Sequence, residues 1–227
     1  PFPPDPVPPE PPTPPVPPAP TARRGLVRAN GQCVRDDDGD FLAVGASLFW
    51  APWGYKYDRA RLIENLKFLS DRPTPPDYVR MLGCVGPSGW SDRTIDPRWP
   101  DYEDVISGVT DLAYSYGFRT KWTIFGGIDN APTRSSREAV VFQFLQMSHG
   151  REHEIFCWEP VNEGWQTGFG SDVGRAEARS LAQLLRDNSP NLVEITAPEN
   201  MSTFALTQAE AQSWYEASAA TMLAQHL

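Results

Sequence analysis

The residues best suited to chemistry are Asn162 and Glu163, which follow the predicted strand Glu154–Val161 and have tryptophans close by in sequence. Trp158 precedes the pair and Trp165 follows it. A carboxylic acid among apolar side chains keeps its proton to higher pH than one in water, so it can donate that proton to a leaving oxygen. Flat indole faces also stack on the C–H faces of sugars. The pattern therefore suits proton donation to the oxygen of a glycosidic bond.

Further chemically capable residues stand at the ends of the other predicted strands. The carboxyl ends of parallel strands in a barrel meet at the face where the loops build the active site. The residues expected at this face are two tryptophans, an arginine, two glycines and a further acid, namely Trp50, Trp53, Arg80, Gly126–Gly127 and Glu199. Tryptophans also serve as ordinary packing residues, and an arginine that ends a strand often pairs with a structural acid. Both kinds of role stay open for these residues.

The elements that must position these residues alternate between β-rich runs and amphipathic helical runs, which is typical of a parallel α/β fold. Turn signals at Asn30–Gly31 and Asp38–Gly39 predict a small hairpin before the first strand. The sequence predicts strands at Phe41–Trp50, Tyr78–Leu82, Arg119–Phe125, Glu154–Val161 and Asn191–Ala197. It predicts helices at Asp58–Ser70, at Tyr102–Tyr116, from the capping box Ser135–Glu138, at Val173–Asp187, and from Thr207 toward Leu227. These are five βα units.

Residues 1–22 form a proline-rich segment, in which 13 of the first 20 residues are proline. Such a composition favours extended polyproline II and predicts a disordered linker ahead of one domain at residues 23–227. A recognition peptide for a proline-binding domain is the alternative. By analogy, a spacer in front of a catalytic module suggests an extracellular or surface-attached protein.

Composition limits the class of partner. The formal net charge is −9 and no apolar stretch approaches the length of a membrane span, so we expect no nucleic acid and no membrane insertion. We expect a monomer with a neutral carbohydrate substrate. Cys33, Cys84 and Cys157 are widely spaced, which indicates buried thiols rather than a metal site or a disulfide framework, and no cofactor is expected.

The segment Phe156-Cys-Trp-Glu-Pro-Val-Asn-Glu163 resembles the fourth-strand signature of clan A glycoside hydrolases, which include the family 5 cellulases and mannanases. Glu159 and Asn162–Glu163 match the pattern of a Glu, two residues and then Asn-Glu. The resemblance implies a (β/α)8 TIM barrel that hydrolyses β-linked polysaccharides or oligosaccharides with retention. It implies that Glu163 is the general acid/base and that Asn162 binds the sugar 2-hydroxyl. Arg80 would keep the nucleophile ionised. Beside the resemblance, the flat rings of Trp50, Trp53, Trp90 and Trp165 make them candidates for stacking on sugar rings, with ordinary packing as the alternative.

Two departures from the family pattern shape these expectations. Gly164 replaces the proline that often follows Asn-Glu in family 5. The clan nucleophile is a Glu at the end of strand seven, so we expect an incomplete barrel, truncated before that strand, and a nucleophile missing from this chain. Glu199 is an acid at the predicted rim, but it is out of clan order. The alternatives are a non-catalytic carbohydrate-binding or structural module, and a different α/β enzyme in which the Asn-Glu pair is coincidental.

Overall fold

The structure, a computed structural model, describes residues 23–164, 166–196 and 222–224. The proline-rich segment, Trp165, Glu199 and most of the helix predicted from Thr207 lie outside the described residues. None of the helices within these ranges is long and apolar enough to cross a membrane.

A small antiparallel sheet precedes the barrel strands. It contains β1 (Arg28–Asn30), β2 (Cys33–Asp36) and β3 (Gly39–Phe41) in consecutive order. Both predicted turns are present, and Gly31 and Gly39 take positive φ angles of 62° and 106° there, a backbone region that glycine adopts without steric cost. The sheet is tied to the barrel through Asp36, whose carboxylate accepts hydrogen bonds from Arg23 and Arg119.

The main sheet has six parallel strands that follow one another in chain order. They are β4 (Gly45–Ser47), β5 (Tyr78–Cys84), β6 (Arg119–Phe125), β7 (Ile155–Val161), β8 (Leu192–Thr196) and β9 (Met222–Ala224). Helices cross between them: α1 (Ala51–Tyr57), α2 (Arg59–Ser70), α3 (Tyr102–Ser115), α4 (Arg134–Ser148) and α5 (Asp172–Asn188). This alternation of parallel strands and helices is that of a partial β/α barrel, as the sequence predicts.

The main hydrophobic core lies between the sheet and the helices. Trp122 on β6 and Trp158 on β7 both pack on Phe144 of α4, with ring centroids 5.1 and 6.2 Å from it. All three rings are buried. Truncating one such ring to alanine typically costs about 3–5 kcal/mol, so this cluster contributes strongly to holding α4 on the sheet.

Because side chains alternate along a strand, the neighbours of these tryptophans face the interior of the barrel. They are polar: Lys121 and Thr123 on β6, and Glu159 on β7, are all buried. The same strands thus carry an apolar face toward the helices and a charged face toward the barrel axis.

Three features differ from the sequence-based expectation. The predicted strand Phe41–Trp50 is divided, because its middle forms β4 and its end leads into α1, which has Pro52 in its first turn. The capping box of α4 is formed by Thr133 and Ser136, two residues before the predicted one. Met222–Ala224 forms a strand, not the end of a helix, because the edge of β8 offers it a parallel hydrogen-bonding partner.

Candidate active site

A groove of about 530 Å³ opens at the carboxyl ends of the strands. Its walls are formed by the segments that follow β5, β6 and β7, together with Phe49. The residues that line the groove include Phe49, Ser88, Trp90, Gly126, Gly127, Asp129, Asn162, Glu163 and Gln166. The groove therefore contains the fourth-strand acid that the sequence singles out, at the face where barrel enzymes carry their chemistry.

Glu163 begins a tight turn after β7 and has a φ angle of 41°. It is the one non-glycine residue with positive φ in the part of the chain that the structure describes. This left-handed backbone costs an L-residue about 1–2 kcal/mol. Hydrogen bonds from Gln166 N to Glu163 O (2.8 Å) and from Thr167 Oγ1 to Asn162 O (2.7 Å) hold the turn. Backbone strain maintained in this way is concentrated at functional sites.

The turn is anchored from below by Phe169. Its backbone N–H donates to Gly164 O at 2.7 Å, and its ring is buried against Phe125, with centroids 6.2 Å apart. The guanidinium of Arg137 lies 5.6 Å from the ring centroid on another side. The anchor leaves the half-buried Glu163 facing the groove, where its Oε2 accepts a hydrogen bond from Gln166 Nε2 at 2.7 Å.

Arg80 links Glu159 to Asn162, two residues of the sequence motif. Its Nε and Nη2 donate to the two carboxylate oxygens of Glu159, each at 2.9 Å, and its Nη2 also donates to Asn162 Oδ1 at 2.9 Å. Two parallel bonds between a guanidinium and a carboxylate fix both groups in orientation. Because the amide is planar, holding Oδ1 also fixes the direction in which the NH₂ group of Asn162 points.

Glu159 is fully buried and has further partners inside the barrel. Its Oε2 accepts a hydrogen bond from the Thr123 hydroxyl and lies 3.7 Å from Lys121 Nζ, which also pairs with Glu194 on β8. Burial alone would lower the pKa of Lys121, but the nearby carboxylates outweigh this effect and raise the pKa above its ordinary value. The two cations and two carboxylates of this cluster therefore balance in charge.

Two of the three thiols are buried, and Cys33 is only half-buried, so the expectation of buried thiols holds for two of them. Burial raises the pKa of Cys84 to about 12. Burial, reinforced by Glu194, also raises the pKa of Cys157 well above its ordinary value. Both thiols stay protonated and unreactive at neutral pH. Among the described residues, no group of three potential ligands is placed to hold a metal ion.

The aromatic residues of the site are only partly those singled out in the sequence. Phe49 and Trp90 line the groove, with ring centroids 6.3 Å apart. Trp50 and Trp53 lie at the start of α1 and pack against the main core, and the guanidinium of Arg61 lies 5.5 Å from the Trp50 ring centroid. Neither Trp50 nor Trp53 is among the groove-lining residues.

Sequence reasoning missed two polar groups in the groove, Asp129 and Gln166. Asp129 Oδ2 accepts hydrogen bonds from both the backbone N–H and the hydroxyl of Ser88, which joins the loops after β5 and β6. Its position just after Gly126–Gly127, at a predicted strand end, was the available signal. Gln166 gave no signal, because its role depends on the turn at Glu163.

Comparisons with known proteins bear on the fold. No protein-family model and no curated protein sequence matches this chain. Solved structures do match, at low identity. An exo-β-1,4-mannosidase from Opitutaceae bacterium strain TAV5 is 12% identical with a TM-score of 0.56, and the match covers 74% of this chain and 34% of the mannosidase. An endo-1,4-β-mannanase from Eisenia fetida is 10% identical with a TM-score of 0.55, covering 89% and 73%.

A third match identifies the fold family. A glycoside hydrolase family 5 structure from Bacteroides vulgatus is 14% identical with a TM-score of 0.53, and the match covers 75% of this chain and 38% of that protein. The chain thus has the β/α-barrel fold of family 5 glycoside hydrolases. The chain spans 34% of the length of the mannosidase, 41% of a further glycoside hydrolase and 51% of an endo-β-1,6-glucanase.

Proposed function

We propose that this chain is part of a retaining glycoside hydrolase that cleaves β-linked polysaccharides or oligosaccharides, and that it contributes the acid/base residue. The observation that supports this best is the position of Glu163. It faces a groove at the carboxyl end of β7, beside the Arg80–Glu159–Asn162 network, in a fold shared with β-mannosidases and β-mannanases.

Each residue has a distinct part in the proposed reaction. Glu163 donates a proton to the glycosidic oxygen and later accepts one from the attacking water. Asn162, oriented by Arg80, donates its amide N–H to the 2-hydroxyl of the sugar at the broken bond. Arg80, the third residue of β5, contributes positive charge next to the proposed position of an ionised nucleophile. Trp165 is proposed to stack on a sugar ring, and Trp90 adds a ring on the groove wall. Trp50 and Trp53 pack on the core outside the groove and are given no part in it.

The nucleophile is not assigned to a described residue. A retaining mechanism needs a second carboxylate about 5–5.5 Å from the acid/base. Asp129 also lines the groove, but the two hydrogen bonds from Ser88 fit a loop anchor better than an attacking group. We therefore place the nucleophile outside the described residues.

The test compares Glu163→Ala with the unchanged sequence on two kinds of β-glycoside, both in a protein that contains this chain together with the rest of the barrel. Substrates with poor leaving groups need the proton, so their kcat/KM should fall by about 10²–10⁴-fold. Activated dinitrophenyl glycosides should be cleaved to the glycosyl-enzyme almost normally. Azide should then restore turnover and give a glycosyl azide with the anomeric configuration of the substrate, as read by NMR.

Glu64→Ala is the matched control, because Glu64 is an exposed acid on α2. It should leave both substrates unaffected. Equal losses on the two substrates in Glu163→Ala, or a glycosyl azide of inverted configuration, would remove Glu163 from the acid/base role.

A carbohydrate-binding module without chemistry is the second candidate. The aromatic wall formed by Phe49 and Trp90 favours it, because such a wall binds sugar rings without needing an acid. Titration calorimetry with β-linked oligosaccharides separates the candidates. Binding that persists in Glu163→Ala, with no hydrolysis by the protein that contains the whole barrel, would support the module.

A further inference from the structure

The turn after β7 places a second side chain directly on Glu163. Gln166 lies three residues along the chain and lines the same groove. Its backbone N–H closes the turn on Glu163 O at 2.8 Å, and its side-chain Nε2 donates to Glu163 Oε2 at 2.7 Å. Gln166 therefore contacts both ends of the Glu163 residue.

The surrounding turn restricts where Gln166 can lie. Thr167 Oγ1 donates to Asn162 O at 2.7 Å, and the Phe169 N–H donates to Gly164 O at 2.7 Å. Phe169 itself is buried. Gln166 is thus held on both sides in sequence by anchored residues, unlike a Glu–Gln pair on a mobile surface.

The chemistry of an amide suits a group whose partner changes charge. A side-chain amide N–H donates to a carboxyl oxygen whether the other oxygen carries a proton or not. A lysine at this place would favour the ionised acid, and a second carboxylate would repel it. A neutral donor on Oε2 therefore restricts rotation of the carboxyl group in both halves of the reaction.

We infer that Gln166 is a positioning residue for Glu163, which fixes the acid/base carboxyl group so that Oε1 meets the glycosidic oxygen. This inference rests on the proposed function. It also explains how the site works with Gly164 where family 5 often has proline, because hydrogen bonds of the turn hold the acid in place.

The experiment introduces Gln166→Met into the same whole-barrel protein. The substitution keeps an unbranched side chain of similar length and removes the donor. Misplacing the acid should slow only reactions that need its proton. We expect kcat/KM on phenyl β-glycosides to fall about tenfold, part of the 10²–10⁴-fold that general acid catalysis supplies. On dinitrophenyl β-glycosides kcat/KM should stay within about twofold, because departure of that group needs no proton. Gln146→Met, the same change at an exposed position of α4, should alter neither rate.

A second measurement tests the contact without any substrate. In protein labelled with ¹⁵N at glutamine side chains, the Gln166 amide signals are assigned by their loss in Gln166→Met. Glu163→Ala should move these signals, whereas Glu64→Ala should not.

The outcomes separate the two proposals. An equal loss on both substrates, no loss on either, or unmoved amide signals in Glu163→Ala would overturn the positioning role and leave the proposed function standing. A whole-barrel protein with unchanged Glu163 and Gln166 that hydrolyses neither substrate would overturn the proposed function, and the positioning role would fail with it.

Discussion

At the scale of single residues, the most consequential arrangement is the buried Glu159 carboxylate between two cations. Its two oxygens accept from Arg80, and Lys121 lies 3.7 Å away. A buried ion pair contributes little compared with a well-packed apolar pair, but removing one partner leaves a charge without compensation. The energetic weight of the cluster therefore appears when it is broken.

We predict that Glu159→Gln lowers the free energy of unfolding by about 3–5 kcal/mol. The substitution keeps the shape of the side chain and removes the negative charge that Arg80 and Lys121 face. Urea unfolding followed by circular dichroism measures the change. Glu138→Gln, in the exposed pair with Arg134 on α4, should leave the midpoint nearly unchanged. Similar effects in the two variants would show that the inner cluster is no more important than a surface pair.

At the scale of elements, the small sheet before the barrel is attached by an apolar cluster of Val34 with Phe156 and Leu192, and by the buried carboxylate of Asp36. Arg23 contacts Asp36 with two hydrogen bonds of 2.8 Å, and Arg119 at the start of β6 adds a third of 2.9 Å. Burial tends to raise the pKa of Asp36, but the bonds from Arg23 and Arg119 outweigh it and hold the pKa below the ordinary range. The ionised carboxylate thus stabilises the folded state.

This arrangement predicts how stability depends on pH. A lowered folded pKa means that the unfolded chain binds the proton more readily, so the stabilisation is present above the unfolded pKa of about 4 and is lost as pH falls through the folded value. Asp36→Asn should therefore reduce stability at neutral pH and make its decline toward acid shallower. Asp40→Asn, at an exposed position on β3, should follow the unchanged protein. Parallel stability curves for all three proteins would contradict the attachment.

The sequence predicted these elements unevenly, for physical reasons. β6 was predicted at its observed bounds, since Arg119–Phe125 is a continuous β-rich run that follows a helix-ending glycine. The short helix α1 was missed because tryptophans and a proline suggest a strand end, whereas Pro52 fits the first turn of a helix. The three residues of β9 carry no periodicity, so only the edge of β8 determines their conformation.

The residues of the site were also predicted unevenly from the sequence. Asn162 and Glu163 follow from a strand end and from a motif, and the structure places both beside the groove just after β7. Arg80 lies in the first half of β5 and reaches this end of the sheet through its guanidinium, which donates to Asn162. Long-range partners such as Lys121 and Glu194 were not predicted, because the register of two strands sets their contact. Gln166 depends on a backbone angle that no residue type signals.

At the scale of the whole molecule, the proposed reaction has Glu163 as its acid/base. No described residue is assigned as its nucleophile. We predict that the 227-residue chain alone gives no measurable hydrolysis of β-1,4-linked glucan or mannan, even with Glu163 intact. Release of reducing ends measures this outcome. Efficient cleavage by the chain alone would contradict the prediction and point to Glu199 or Asp129 as the partner. Asp129→Asn would then distinguish these two acids.

At position 163 the left-handed backbone favours a different residue type from the glutamate that the proposed chemistry needs. Glycine adopts a φ of 41° without steric cost and asparagine tolerates it, whereas glutamate carries about 1–2 kcal/mol of strain there. A laboratory selection for heat resistance alone should therefore enrich glycine or asparagine at this site, and the survivors would have lost the proton donor proposed above. Thermostable variants that retain glutamate would have to gain their stability at other positions. The residue found at position 163 would therefore indicate whether selection acted on thermal stability or on catalytic turnover.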